Sequence, residues 1–315
     1  MWVQYENKGL EISLGAKPFA GHDFKWTTGA NVSFNRDKIL ELANNNAPLP
    51  IITNTGGGYN IYKNGAWAVK QLRVGHPVDD FYGYVNLGTW KTSEAADALA
   101  FGQLPGDAKW KDVNKDGIIN IAGDGNQVIG NAAPKFIYGW NNTFTYNNFD
   151  LTFLIQGSYG NQIFNAVRIK TEWASVGTSA NLLDRWTSTN QDTYVPAFTS
   201  TQDRNSGLSG HPSKIKMNTA DSRSSRWVED GSYIRMKNIT FTYNIPSSVL
   251  HVAHITKLAV FATAVNAFTI TGYTGYDPEV SSFNRGSRVR AGGLGIDLSN
   301  YPSAKTFLCG INLTF

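Results

Sequence analysis

The chain has 315 residues, a formal net charge of +4, 41% hydrophobic residues and one cysteine. The charges are scattered and nearly balanced, which argues against a nucleic-acid partner. Cys309 alone excludes an internal disulfide, and no run of about 18 apolar residues marks a membrane helix. A content of Gly 31, Trp 9, Tyr 14 and Phe 17 instead suits a chain of many turns and aromatic strands.

Successive side chains of a strand point to opposite faces, so a period of two sorts them into two rows. In chain order, Leu10, Ile12, Leu14 and Ala16 alternate with Glu11, Ser13, Gly15 and Lys17. Phe24, Trp26, Ala30, Val32 and Phe34 then alternate with Asp23, Lys25, Gly29, Asn31 and Ser33. The same division sets Phe136, Tyr138, Trp140, Phe144 and Tyr146, broken only by Asn142, against Ile137, Gly139, Asn141, Thr143 and Thr145. Phe149, Leu151, Phe153, Ile155 and Tyr159 oppose Asp150, Thr152, Leu154, Gln156 and Ser158, and Asn147-Asn148 between these runs suits a tight hairpin turn. Residues 233–246 and 255–268 fit less cleanly, because Arg235 and Lys237 share a row with Ile239, Phe241 and Tyr243; this places the basic pair beyond an apolar band. At the end, Phe307, Cys309, Ile311, Leu313 and Phe315 face away from Thr306, Leu308, Gly310, Asn312 and Thr314.

A half-buried strand of a soluble sandwich also alternates. Here the apolar rows are aromatic toward their ends, the runs approach about ten residues and the opposite rows are small and polar. That combination predicts an all-β fold, a transmembrane antiparallel β-barrel with lipid outside and a wet lumen inside, to which this chain gives about seven strands. Direction can be tested by parity. A descending last strand puts short connections at 18–22, 147–148 and 247–254 on one side. It puts the long stretches 35–135, 160–231 and 269–303 on the other, as extracellular loops. Met1 is followed by WVQYENKGL, which lacks a basic start and an apolar core, so the chain carries no signal peptide. The strands therefore point to a piece of a longer protein.

The long loops hold the candidate binding residues. Tyr82, Tyr84, Trp90, Trp110, Trp173 and Trp186 could stack on a ligand's rings, the alternative being that they pack the loops together. DVNKDGIINIAGD places Asp112, Asn114, Asp116 and Asn120 at the odd positions of a calcium loop. The Ile118 carbonyl is a further ligand, Gly117 sits at the sharp turn, and Asp124 comes one residue late for the closing acid. Ca2+ bracing an extracellular loop stands here against a hydrogen-bonded Asp-Gly turn. Glu229-Asp230 and Asp277/Glu279 could be drawn into a glycosidase dyad, but no separation can be read from sequence. Without a nucleophile elbow or phosphate-binding loop, the chain reads as no enzyme.

Several segments, in order, resemble one family. They are NKGLEISL, VGHPVDDFYGY, PGDAKWKDVNKDGIIN, VIGNAAPKFIYGWNNTF, FDLTFLIQGSYGNQIFN, RWVEDGSYIRMKNITFTYNIP and GYDPEV with YPSAKTFLCGINLTF. They are similar to the carboxyl-terminal part of the SusC/RagA-type TonB-linked outer membrane receptors of Bacteroidetes. The resemblance implies a barrel of about 22 strands in the outer membrane of a Gram-negative bacterium, this chain supplying roughly the last third. It also implies a SusD-like surface lipoprotein as partner, import of oligosaccharides or peptides, and TonB engaged only through a plug region missing here. The alternatives are a calcium-stabilised β-sandwich binding glycans, soluble or surface-attached, and a non-functional truncated receptor product.

Overall fold

The computed structural model describes residues 3–43, 45–50, 69–120, 122–172, 177–197, 223–250, 255–280 and 294–315. Seven antiparallel strands lie side by side in chain order in one sheet, the wall. They are β1 (Val3–Ala20), β2 (Phe24–Leu42), β3 (Phe136–Tyr146), β4 (Phe149–Tyr159), β5 (Tyr233–Asn244), β6 (Lys257–Val265) and β7 (Thr306–Thr314). A short strand, Thr269–Thr271, adds to the top of β5. Each wall strand reaches or nearly reaches the roughly 9–11 residues that cross a bilayer. β1 and β2, at 18 and 19 residues, extend well past it.

The register carries the apolar rows from strand to strand across the sheet, broken on β3 by Asn142 opposite Phe153. Leu10 pairs with Phe34, Ala30 with Trp140, Phe153 with Ile239 across β4–β5, Phe241 with Ala262, and Val260 with Ile311. No second sheet covers this face among the described residues, and Ile311 is 66% exposed. Aromatic pairs gather at its two ends. Trp26 stacks on Phe19 and Phe144, and Phe149 meets Tyr243 at 4.8 Å, at the end with the tight turns. Phe34, Phe136 and Tyr159 stack at the other end. An oily band between two aromatic belts is the pattern of a lipid-facing barrel surface. Among the described residues no helix is long and apolar enough to cross a membrane, which leaves crossing by strands untouched.

Two bulges re-aim the rows. In β1 the register slips between Ala16 and Phe19, around Pro18, and brings Phe19 opposite Trp26 on the apolar side. Proline is tolerated there because it sits at the bulge, where the ladder is already interrupted. In β5 the register slips between the Leu154–Asn238 and Ile155–Met236 pairs, leaving Lys237 as the extra residue. The slip corrects the expectation for Arg235 and Lys237. Ile234 and Met236 join the lipid row, while Tyr233 and Arg235 turn to the polar face. Arg235 is 2% exposed, so it does not sit beyond the band on the oily side.

The connections alternate in length. Residues 21–23 and 147–148 join β1–β2 and β3–β4, Asn147 taking a φ of 50°, and the β5–β6 connection carries a short helix at Ser247–Leu250. The connections at the opposite end are long. β2 continues to Leu42, so the first of them begins later than residue 35. The three also share one core: Val69 and Phe81 from the first, Phe164 and Trp227 from the second, Ile296 and Leu298 from the third. A small sheet joins the second and third, with Gln162–Asn165 antiparallel to Val228–Asp230 and parallel to Ile296–Asp297. Long loops become a folded cap because each contributes a few apolar side chains that none could bury alone.

Candidate functional site: the polar face beneath the cap

The polar row of the wall and the underside of the cap enclose a hollow of about 500 Å3. Its wall side is Tyr5 and Asn7 of β1, Ser33, Asn35 and Asp37 of β2 and Ile137 of β3; its cap side includes Val78 and Asp79. A second hollow of about 400 Å3 shares Ser33 and Ile137 and continues along Glu11, Asn31, Leu154 and Gln156. The two form one trough down the polar face, its polar side chains set among apolar lining such as Val78, Ile137 and Leu154.

The cap is fastened above this trough by hydrogen bonds and buried ion pairs. The Gly75 amide donates to the Ile39 carbonyl at 2.8 Å, from a turn whose φ of 88° suits glycine, and the Ile39 amide donates to the His76 carbonyl at 2.9 Å. Asp37 of the wall accepts the Val78 amide at 2.7 Å. Behind Asp79 lies Lys70, 1% exposed, with its Nζ 2.5 Å from Asp79 Oδ1 and above the Phe81 ring. Burial lowers the Lys70 pKa, and the Coulombic pull of Asp79, Asp80 and Asp37 opposes that only in part. On the far side Arg235 donates to Asp277 at 2.6 Å and pairs with Glu279, while Tyr233 donates to Glu279 at 2.7 Å. Burial resists ionisation of Asp277, but the Ser303 and Glu279 amides and Arg235 outweigh it and hold the carboxyl below its usual range. A third centre joins Glu172 to Arg168 at 2.6 Å and Arg226 at 2.7 Å, with Glu229 accepting from Arg168 at 2.9 Å and from the Thr274 amide at 2.9 Å. Glu172 is likewise lowered against burial, by Arg168, Asn181 and Arg226. The acids at 229, 277 and 279 are thus partners of arginines that brace the cap.

Four of the six candidate stacking residues are interior. Tyr82, Tyr84, Trp90 and Trp110 are all buried, Trp110 in a cluster with Tyr84, Ala108 and Ile119, and the Trp90 indole donates to Gln103 at 2.9 Å. Trp186 is half-buried against Gly106. Trp173 lies outside the described residues. In the 112–124 loop the side-chain oxygens meet backbone amides. Asp112 accepts from Lys115 and Gly117, Asp116 from Ile118, and Asp124 from Val113 and Asn120; Asn120 accepts from Gly123, and Asn114 donates to Asp116. Asp112, Asn114 and Asp116 share one turn, as calcium ligands would, but Asp124 serves other amides. Among the described residues no three acidic, histidine or cysteine side chains converge on a metal position. Sequence reasoning did not find Lys70, Asp79 and Arg235. Arg235 had a signal, since the apolar positions step from Met236 to Ile239 and so change parity.

Wall, belts and cap together define a sector of an antiparallel transmembrane β-barrel. No family model matches the chain. In sequence it is similar to a TonB-dependent receptor of Formosa agariphila, 29% identical over 315 residues, and to a second from that organism, 31% identical over 315 residues. It is also similar to the TonB-dependent receptor SusC of Bacteroides thetaiotaomicron, 27% identical over 313 residues. These matches cover 98–99% of this chain and 26–29% of each relative. In fold it matches structures of the RagAB peptide transporter with a TM-score of 0.71 and of the RagAB peptide importer in the closed-closed state with 0.70, both at 21% identity, covering 99% of this chain and 30% of theirs. The resemblance to SusC/RagA-type TonB-dependent receptors runs the length of the chain, and the chain spans less than a third of the relatives' own length.

Proposed function

We propose that this chain forms one sector of the wall and outer mouth of a TonB-dependent outer-membrane importer of the SusC type. Further strands pair with the free edges of β1 and β7 to complete the barrel. The observation that carries this reading is the alternation of the sheet: an uncovered apolar face between aromatic belts, a polar face beneath a folded cap, and connections that are short at one end and long at the other. The cap faces outward and the trough lines the lumen. The cargo is an oligosaccharide or a peptide, a SusD-like surface lipoprotein closes the mouth, and TonB acts through a plug outside this chain. The chain contributes passage and binding rather than catalysis; the acids at 172, 229, 277 and 279 are held by arginines. A soluble sandwich is disfavoured, because its apolar face needs a second sheet.

Cysteine labelling tests this reading. In a Cys309→Ser background, Ile311→Cys and Asn312→Cys are reacted with a water-soluble maleimide after assembly in outer membranes. Labelling at 312 with protection at 311 is expected. Equal labelling of both neighbours would contradict a lipid-facing row.

A further inference from the structure

The cap holds a third hollow, of about 350 Å3, away from the trough. It opens between the helix Ala166–Thr171, the turn at 179–181 and residues 274–276. Tyr276 stands on its lining and is 75% exposed, although its ring could have been buried. Arg168 points two nitrogens at acids, Nε at Glu172 and Nη1 at Glu229, while Nη2 makes no hydrogen bond among the described residues. Asn181 donates its amide to Glu172 at 2.8 Å, which leaves its carbonyl oxygen as an acceptor. Thr171 and Thr274 also line it, but the Thr171 hydroxyl donates to the Val167 carbonyl at 3.2 Å and the Thr274 hydroxyl to Glu229 at 2.7 Å, so each offers only an acceptor oxygen.

Charge and hydrogen bonding decide what fits. Arg168 and Arg226 are balanced by Glu172 and Glu229, and Asp297 is taken up by the Tyr273 hydroxyl at 2.5 Å and the Ser299 amide at 2.9 Å. The hollow therefore offers no surplus positive charge to an anion. An extended peptide docks by pairing with a strand edge, but 162–165 is already paired on both sides, with 228–230 and 296–297. What is left is an exposed aromatic face beside one strong donor, one amide acceptor and two hydroxyl oxygens that can only accept. A neutral sugar ring matches that set, with its C–H face on the tyrosine and its hydroxyls on Arg168 and Asn181.

We propose that this hollow holds one neutral sugar ring of an oligosaccharide, stacked on Tyr276, as an outer subsite of the mouth. The proposal rests on the importer reading and narrows its cargo. Titration calorimetry in detergent of the barrel completed with its remaining strands tests it with maltohexaose, cellohexaose, xylohexaose and tetra-alanine. At least one hexasaccharide should bind, Tyr276→Ala should weaken it about tenfold, and Tyr276→Phe should stay within about twofold because the ring remains. Absence of heat from all three sugars, an unchanged affinity in Tyr276→Ala, or binding of tetra-alanine that depends on Tyr276 would each overturn the subsite. The maleimide pattern at 311 and 312 reads separately, so loss of the subsite and loss of the importer reading are distinguishable.

Discussion

Asn142 is the polar residue that interrupts the aromatic row of β3, and it is fully buried there. Its carbonyl oxygen accepts the Trp26 indole N–H at 3.0 Å, while Trp140 donates to Thr28 at 2.9 Å on the same face. An indole N–H facing hydrocarbon has no water to turn to, so these partners satisfy Trp140 within the oily band and Trp26 at the belt that borders it. Asn142→Leu orphans the Trp26 donor and should lower the stability of the assembled barrel by about 1–3 kcal/mol. The companion Trp26→Phe/Asn142→Leu should recover most of that loss, since donor and acceptor go together. Urea unfolding of the protein in lipid vesicles, followed by tryptophan fluorescence, measures both. The 112–124 loop makes the opposite point about polar residues. Its carboxylates already cap their own amides, so calcium titration of wild type and Asp116→Ala should give equally flat calorimetric traces, and a saturable heat lost in the variant would restore the metal reading.

At the scale of elements, the seven wall strands were legible in the sequence because lipid on one face and water on the other write a strict period of two. Phe136 to Tyr146 and Phe149 to Tyr159 show it plainly. β5 was misread because a bulge costs one residue and flips every side chain beyond it. The flip has a use: it turns Arg235 inward to hold Asp277 and Glu279. Deleting Lys237 should remove the bulge yet keep Met236 and Ile234 on the lipid row and Arg235 and Tyr233 inward, so the heat-modifiable gel mobility of an assembled barrel should persist; its loss would show that the bulge itself is required. The cap was not legible, since its core collects a few residues from each of three distant loops and has no periodicity to betray it. Tyr82 and Trp110 looked like exposed ligand platforms for that reason. The cap is also acid-sensitive. Glu172 and Asp277 have folded pKa values below their usual ones, so their contribution is fully present above the unfolded carboxylate pKa, about 4, and is lost as pH falls through the folded values. Near-UV circular dichroism between pH 7 and 3 should show the cap loosening while strand content persists, and Glu172→Gln should flatten that transition while lowering stability at pH 7.

At the scale of the molecule, the order of the sheet constrains closure. Strands alternate in direction from β1 to β7, so the two edge strands run the same way and cannot meet in an antiparallel pair. An all-antiparallel barrel therefore needs an odd number of additional strands between them. The edges are long and apolar, and each unpaired backbone group left in hydrocarbon costs several kcal/mol. Among the described residues no strand pairs with the outer edge of β1 or of β7. Reconstituted alone into planar bilayers the chain should give no steady conductance, and it should associate through its edges into higher-order species in detergent. Supplying the remaining strands, as a second polypeptide or in one chain, should yield a monodisperse, heat-modifiable species. A stable, uniform pore formed by this chain on its own would show that β1 and β7 find partners within it, and would remove the need for additional strands.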